Sequence, residues 1–124
     1  MEEYSPASDP DPEAWLALDE ADRIALVQAN HDDPHLDARR AHLHAVVHSI
    51  VETQLAADDP PEVRATLRRL ITEGLDRHDA IHAIGSLIAE QLHAMMGGGG
   101  ETTEPTEAYR RKLAEITASR WRAM

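Results

Sequence analysis

Cysteine and phenylalanine are absent from this sequence, and two tryptophans and two tyrosines are its only large aromatics. The first absence excludes disulfides, thiolate metal sites and cysteine nucleophiles. The second, with no β-branched or aromatic run of strand type, favours helices over a sheet. No apolar run approaches the ~20 residues of a membrane span, and the opening MEEYSPASDPDPE is acidic where a signal peptide is basic. A soluble, cytoplasmic protein with no membrane association is expected. Lysine and arginine are scarce, 12 against 23 aspartates and glutamates, for a net charge of −11. The imbalance is local: residues 1–100 hold 19 acids and 7 bases, residues 101–124 hold 4 and 5. An acidic body repels phosphate backbones, so no nucleic-acid partner is expected. There is no Gly-rich phosphate loop and no evident nucleophile with a paired base, so enzyme status stays open.

What is present reads as helix. At 124 residues the chain suits one domain with a modest core. Residues 1–10 are polar, acidic and hold two prolines, and are expected to be disordered. Asp11 before Pro12 suits the cap of a short first turn, and Asp19 the cap of a helix reaching about His31. A long helix follows over about 36–57, with Leu43, Val47, Ile50 and Gln54 near one direction. DDPPE at 58–62 ends it and starts another, with Asp59 as cap. That helix ends at Gly74, a C-terminal cap. Asp76 caps a last long helix over about 77–96. GGGG at 97–100 opens a flexible linker over 97–107, and 108–124 reads as a tethered basic helix with Tyr109, Leu113 and Ile116 on one side. The expected architecture is all-α: an antiparallel up-and-down bundle of about four helices over 11–96, plus the tail helix.

Histidine supplies the chemistry. His44 and His48 stand one turn apart within HLHAVVHSIVETQ, with Glu52 a turn further, and His78 and His82 repeat the spacing in RHDAIHAIG. With Leu43 at zero and ~100° per residue, His44 and His48 fall near ~100° and ~140°, beside Val51 and Leu55, with Glu52 at ~180°. His42 points away, and His93 is a surface residue. His78 and His82 align with Gly85 and Ala89, which leave space where a packed helix carries bulk. The intervening helix of ~12 residues climbs back ~18 Å. In a simple bundle the two long helices then become parallel diagonal neighbours, with four imidazoles at one level.

Two imidazoles at i and i+4 ligate one ion, and a divalent transition metal suits the set: Zn or Fe first, with Mn, Ni and Cu also compatible. The expected ligands are His44, His48, His78 and His82, with Glu52 as a fifth or bridging group. Gln54 or Asp79 suits a second-layer acceptor for a ring N–H. The outline of H-E-x-x-H in HDAIH casts Asp79 as a base, but its place three residues after Asp76 suits a capping arrangement better. The plainer alternative is a buried hydrogen-bonded histidine cluster without metal, and for Glu52 an arginine partner such as Arg68 or Arg77. Trp15 and Trp121 read as packing residues.

WLALDEADRIALV, LHAVVHSIVETQLA and LRRLITEGLDRHDAIHAIGSLIAE together resemble a family of short, uncharacterised bacterial proteins at or near domain of unknown function 1841. The likeness spans roughly residues 12–92. The family pattern reads His-x-x-x-His, Val-Glu-Asn-Gln, then Arg-His-Glu-x-x-His-Ala-Ile, and His44, His48, Glu52, Gln54, Arg77, His78 and His82 match it. Thr53 stands where Asn is usual and Asp79 where Glu is usual, which weakens a peptidase-like role for Asp79. The resemblance sharpens the site and carries no activity with it. The functional expectation is therefore a helical metal-binding protein supporting hydrolytic or oxygen chemistry. The competing one is an interaction module whose tail helix docks on an acidic protein partner or on its own acidic body. A homodimer through the apolar face of the first long helix is the other partnership expected.

Overall fold

Short carboxylates start most of the helices in the computed structural model, which describes residues 3–30, 37–96 and 107–123. Asp11 accepts the Ala14 N–H at the start of α1 (Pro12–Ala17), and Asp19 accepts the Asp22 N–H at the start of α2 (Glu20–Asn30). Asp37 does the same for Arg40 in α3 (Ala38–Ala57), and Asp76 for Asp79 in α5 (Arg77–Met96). Each satisfies a backbone N–H that the first helical turn leaves without a partner. Asp59 does not: Pro60 is the N-cap of α4 (Pro61–Thr72), with no side-chain cap bond. The end of α4 follows expectation. Gly74 takes φ 110°, its N–H bonds the Ile71 carbonyl, and the Leu75 N–H reaches back to Leu70. That pair of bonds needs a left-handed residue, and it buries Leu75 and Leu70 together.

The segments at both ends differ from expectation. Residues 3–10 are not a free acidic tail, because Tyr4 is buried against Trp15, ring centroids 5.7 Å apart. Residues 108–123 are not one tethered helix. They form α6 (Glu107–Glu115) and α7 (Ala118–Ala123), broken where Thr117 accepts the Arg120 N–H. Tyr109, Leu113 and Ile116, the expected stripe, join Leu67, Leu70, Ile81 and Ile84 in the main core. Thr66 and Arg69 of α4 both donate to the Leu113 carbonyl, and Glu73 accepts the Ala118 N–H at 2.8 Å. Apolar burial and orphan backbone groups fix this docking more than the basic charge does. The linker expected over 97–107 lies outside the described residues except for Glu107, as does His31, the expected end of the second helix.

Seven helices and no strand are found among the described residues. A smaller core of Tyr4, Trp15, Val27 and Ala45 sits between the N-terminal segment, α1, α2 and α3. The two long helices pack on each other in the opposite sense to that expected. Glu52 of α3 meets Arg77 of α5, His48 meets His78 and His82, and Val47 meets Gly85. Rising numbers on one helix thus meet falling numbers on the other. Arg77 lies beside Glu52, near the end of α3, so α4 does not carry the chain back along the bundle before α5 begins.

Gly85 sets how closely α3 and α5 approach. A Cβ there would stand 2.7 Å from Val47 Cγ1 and 4.0 Å from Val51 Cγ2. An interior helical glycine ordinarily gives up ~1 kcal/mol relative to alanine. Val47 is β-branched and holds one preferred helical rotamer, so it cannot swing aside cheaply. Overpacking of this kind costs ~1–3 kcal/mol. Gly85→Ala is therefore expected to lower the urea midpoint rather than raise it, by a net loss on the order of 1 kcal/mol. A raised midpoint would mean that Val47 yields.

Candidate metal centre

The buried face of α3 is not the one that begins at Leu43, which is 48% exposed. It is the face carrying His48, Val51, Glu52 and Leu55, all buried. Two polar side chains on a buried stripe need partners, since an unpaired buried charge costs several kcal/mol. Glu52 finds them in Arg77 and Tyr4. Arg77 Nη2 donates to Oε1 at 2.7 Å and Nη1 to Oε2 at 2.9 Å, while the Tyr4 hydroxyl donates to Oε2 at 2.6 Å. Arg77 also donates to the Pro6 carbonyl and pairs with Asp9 at 2.8 Å, tying the N-terminal segment to both long helices. Burial pulls the guanidinium pKa down, but the hydrogen bonds and charge of Glu52, with Asp9, outweigh it and hold it above its ordinary value.

Tyr4 continues the chain to the histidines. Its oxygen lies 3.2 Å from His48 Nδ1. Because the Tyr4 proton goes to Glu52, the contact bonds only when Nδ1 carries the hydrogen. His48 then presents the lone pair of Nε2, which faces His82 Nε2 at 2.9 Å. His44 completes a group of three imidazoles, each offering a nitrogen within 4.8 Å of the others. His44 and His82 are half-buried and His48 is 1% exposed. The four expected rings do converge. Centroids of His44 and His82 are 4.9 Å apart, of His48 and His82 4.9 Å, of His78 and His82 4.3 Å, and of His48 and His78 5.4 Å. His78 abuts the three-nitrogen group without belonging to it.

The other expected roles shift. Glu52 stands outside the three-nitrogen group, its carboxylate held by Arg77 and Tyr4, so the arginine pairing prevails over the bridging one. Gln54 accepts the Tyr109 hydroxyl at 2.7 Å, which places it toward α6 rather than behind a ring N–H. Asp79 is exposed in the first turn of α5, its own N–H held by Asp76. Thr53 accepts the Trp15 indole N–H at 3.1 Å. His42 and His93 are exposed, as expected. Sequence reasoning missed Tyr4. The only signal was a lone aromatic within an otherwise polar N-terminus.

Burial raises the pKa of the Tyr4 phenol, and the nearby Glu52 charge raises it further. Burial likewise raises that of Tyr109, against a smaller opposing pull from its bond to Gln54. A group raised above its unfolded value stabilises fully below that value, ~10 for tyrosine, and loses the contribution as pH climbs beyond it. Stability should therefore fall above pH ~10, by up to ~1.4 kcal/mol per pH unit for each phenol. Spectrophotometric titration should show no tyrosinate band until the circular dichroism of the helices collapses. Tyrosinate appearing before unfolding would contradict the burial.

An open cavity of about 350 Å³ adjoins the histidines, with His44, His48 and His82 among its lining residues. No helix of the described residues is long and apolar enough to cross a membrane. Nothing among curated proteins or solved structures matches the chain. The pattern described as Domain of unknown function (DUF1841) matches residues 10–112, a span holding α1 to α5, most of α6 and all of the clustered histidines. The chain belongs to the DUF1841 family.

Proposed function

We propose that the protein binds one divalent transition-metal ion through His44, His48 and His82, with zinc or iron the best-suited ions. The observation that carries this reading is the oriented chain Arg77–Glu52–Tyr4–His48. It leaves the His48 Nε2 lone pair aimed at His82 Nε2. Two ligands on ~2.1 Å bonds stand ~3.0 Å apart at a right angle and ~3.4 Å apart at a tetrahedral one, so these nitrogens, 2.9 Å apart, need separate by no more than about half an ångström to share an ion. A carboxylate-backed histidine is the usual companion of a metal site, because it fixes the ring and raises its basicity. Here a tyrosine is interposed. Torsional adjustment of the half-buried His44 brings in the third nitrogen, and His78, its ring centroid 4.3 Å from that of His82, stands beside the ion rather than on it. Three imidazoles leave a coordination position for an exchangeable ligand, the arrangement that supports hydrolytic or oxygen chemistry.

The test is calorimetric titration of untagged, chelator-stripped protein with zinc. One ion per chain, with protons released or heat consistent with imidazole ligation, is the expected result. Absence of any saturable site would sink the reading and leave a hydrogen-bonded histidine cluster in its place.

A further inference from the structure

The cavity beside the histidines differs from the rest of the chain in composition. Carboxylates outnumber lysine and arginine 23 to 12 in the sequence, yet among the described residues none lines this cavity. Its apolar wall comes from Val47 and Ile81 with Trp121 of α7, and Gly85, Ser86 and Ala89 provide room on α5. The lining residues exposed to solvent are Leu43 and Arg40. Among the described residues Leu43, with Leu16 and Ile71, is a large hydrophobic left in water, and Trp121 is only half-buried. An apolar ligand would cover both. The volume of about 350 Å³ lies at the small end of ligand pockets and admits a molecule of about ten heavy atoms.

We infer that this cavity binds a small aliphatic or aromatic carboxylate, its acid group on the histidine-held ion and near Arg40, its hydrocarbon against Val47, Ile81 and Trp121. The inference rests on the metal reading for the position of the acid group. Charge selects the class of head group: a cation held by neutral imidazoles, with Arg40 the charged side chain among the described lining residues, favours an anion. Apolar walls select the body, since each methylene removed from water adds ~0.8 kcal/mol, or roughly three- to fourfold in affinity. An uncharged alcohol of equal length keeps the second contribution and loses the first.

The experiment titrates zinc-loaded and chelator-stripped full-length protein with butanoate, hexanoate, octanoate and octanol, by calorimetry and tryptophan fluorescence. Affinity for the loaded protein is expected to climb roughly three- to fourfold per methylene. Octanoate should bind at least about tenfold more weakly to the stripped protein, and octanol more weakly than octanoate to the loaded one. Ala89→Trp fills the cavity and should abolish octanoate binding with zinc stoichiometry intact. Leu43→Ser, at an exposed position that cannot unfold the core, should weaken octanoate severalfold. Stoichiometric zinc with no chain-length dependence would overturn the cavity assignment while leaving the metal site standing. Octanoate bound equally by loaded and stripped protein, or by a chain that takes up no zinc, would overturn the placement of the acid group.

Discussion

His48→Ala combined with His82→Ala is expected to abolish zinc uptake and the rise in melting temperature that zinc produces. An ion present at about a thousandfold its dissociation constant stabilises the folded state by ~4 kcal/mol. For a domain of this length that is a rise of roughly 10–20 °C. Each protein is compared with and without zinc, so the packing lost with two imidazoles cancels from the measurement. His48 is the more telling of the two, because it is 1% exposed and its ring is held from behind by Tyr4. Tyr4→Phe separates position from ligation. The ring still packs on Trp15, but the oxygen between Glu52 and His48 Nδ1 is gone. Loss of such an outer partner typically weakens a metal site about 10–100-fold. Zinc should thus bind Tyr4→Phe at unchanged stoichiometry and lower affinity. A double histidine variant that keeps one tight zinc per chain would place the ion elsewhere.

The histidine cluster was legible in the sequence and the machinery behind it was not, for a physical reason. Spacing of four along a helix is a local property, so the pairing of His44 with His48 and of His78 with His82 needs only helical geometry. The starts at Asp11, Asp19 and Asp76 and the stop at Gly74 are equally local. Tyr4 reaches His48 and Glu52 across 44 and 48 residues of chain, and nothing nearby in sequence marks such a contact. Hydropathy also misdirects on α3. A face that buries a histidine and a glutamate reads as a boundary, while exposed Leu43 reads as core. The sense of packing between α3 and α5 was lost for a related reason. Helix length alone returned the chain along the bundle, whereas the Glu52–Arg77 pair requires α5 to start near the end of α3. The apolar stripe of the tail was readable at Tyr109, Leu113 and Ile116, but not that the stripe belongs to the chain's own core.

Arg77→Met should be the most damaging single substitution for the apo protein. The Glu52 side chain is fully buried and the Arg77 side chain 8% exposed, so the pair is removed from solvent. Taking away one partner leaves a buried charge without its counter-ion, which costs about 3–5 kcal/mol. Against a total of about 5–15 kcal/mol for a domain, that lowers the melting temperature by roughly 10–20 °C. Glu52→Gln in the same chain should recover much of the loss, because an uncharged amide still accepts the Tyr4 hydroxyl and needs no cation. Recovery in the double variant is thus the signature of charge burial as opposed to lost packing. A second readout follows from the other bonds Arg77 makes. Without its links to the Pro6 carbonyl and Asp9, the N-terminal segment should become susceptible to limited proteolysis ahead of α1. Tyr4 then loses its anchor, so zinc affinity should fall although no ligand has been touched. If Arg77→Met instead melts within a few degrees of the parent and resists proteolysis, Glu52 is not a buried carboxylate. The oriented hydrogen-bond chain behind His48 would then have no foundation.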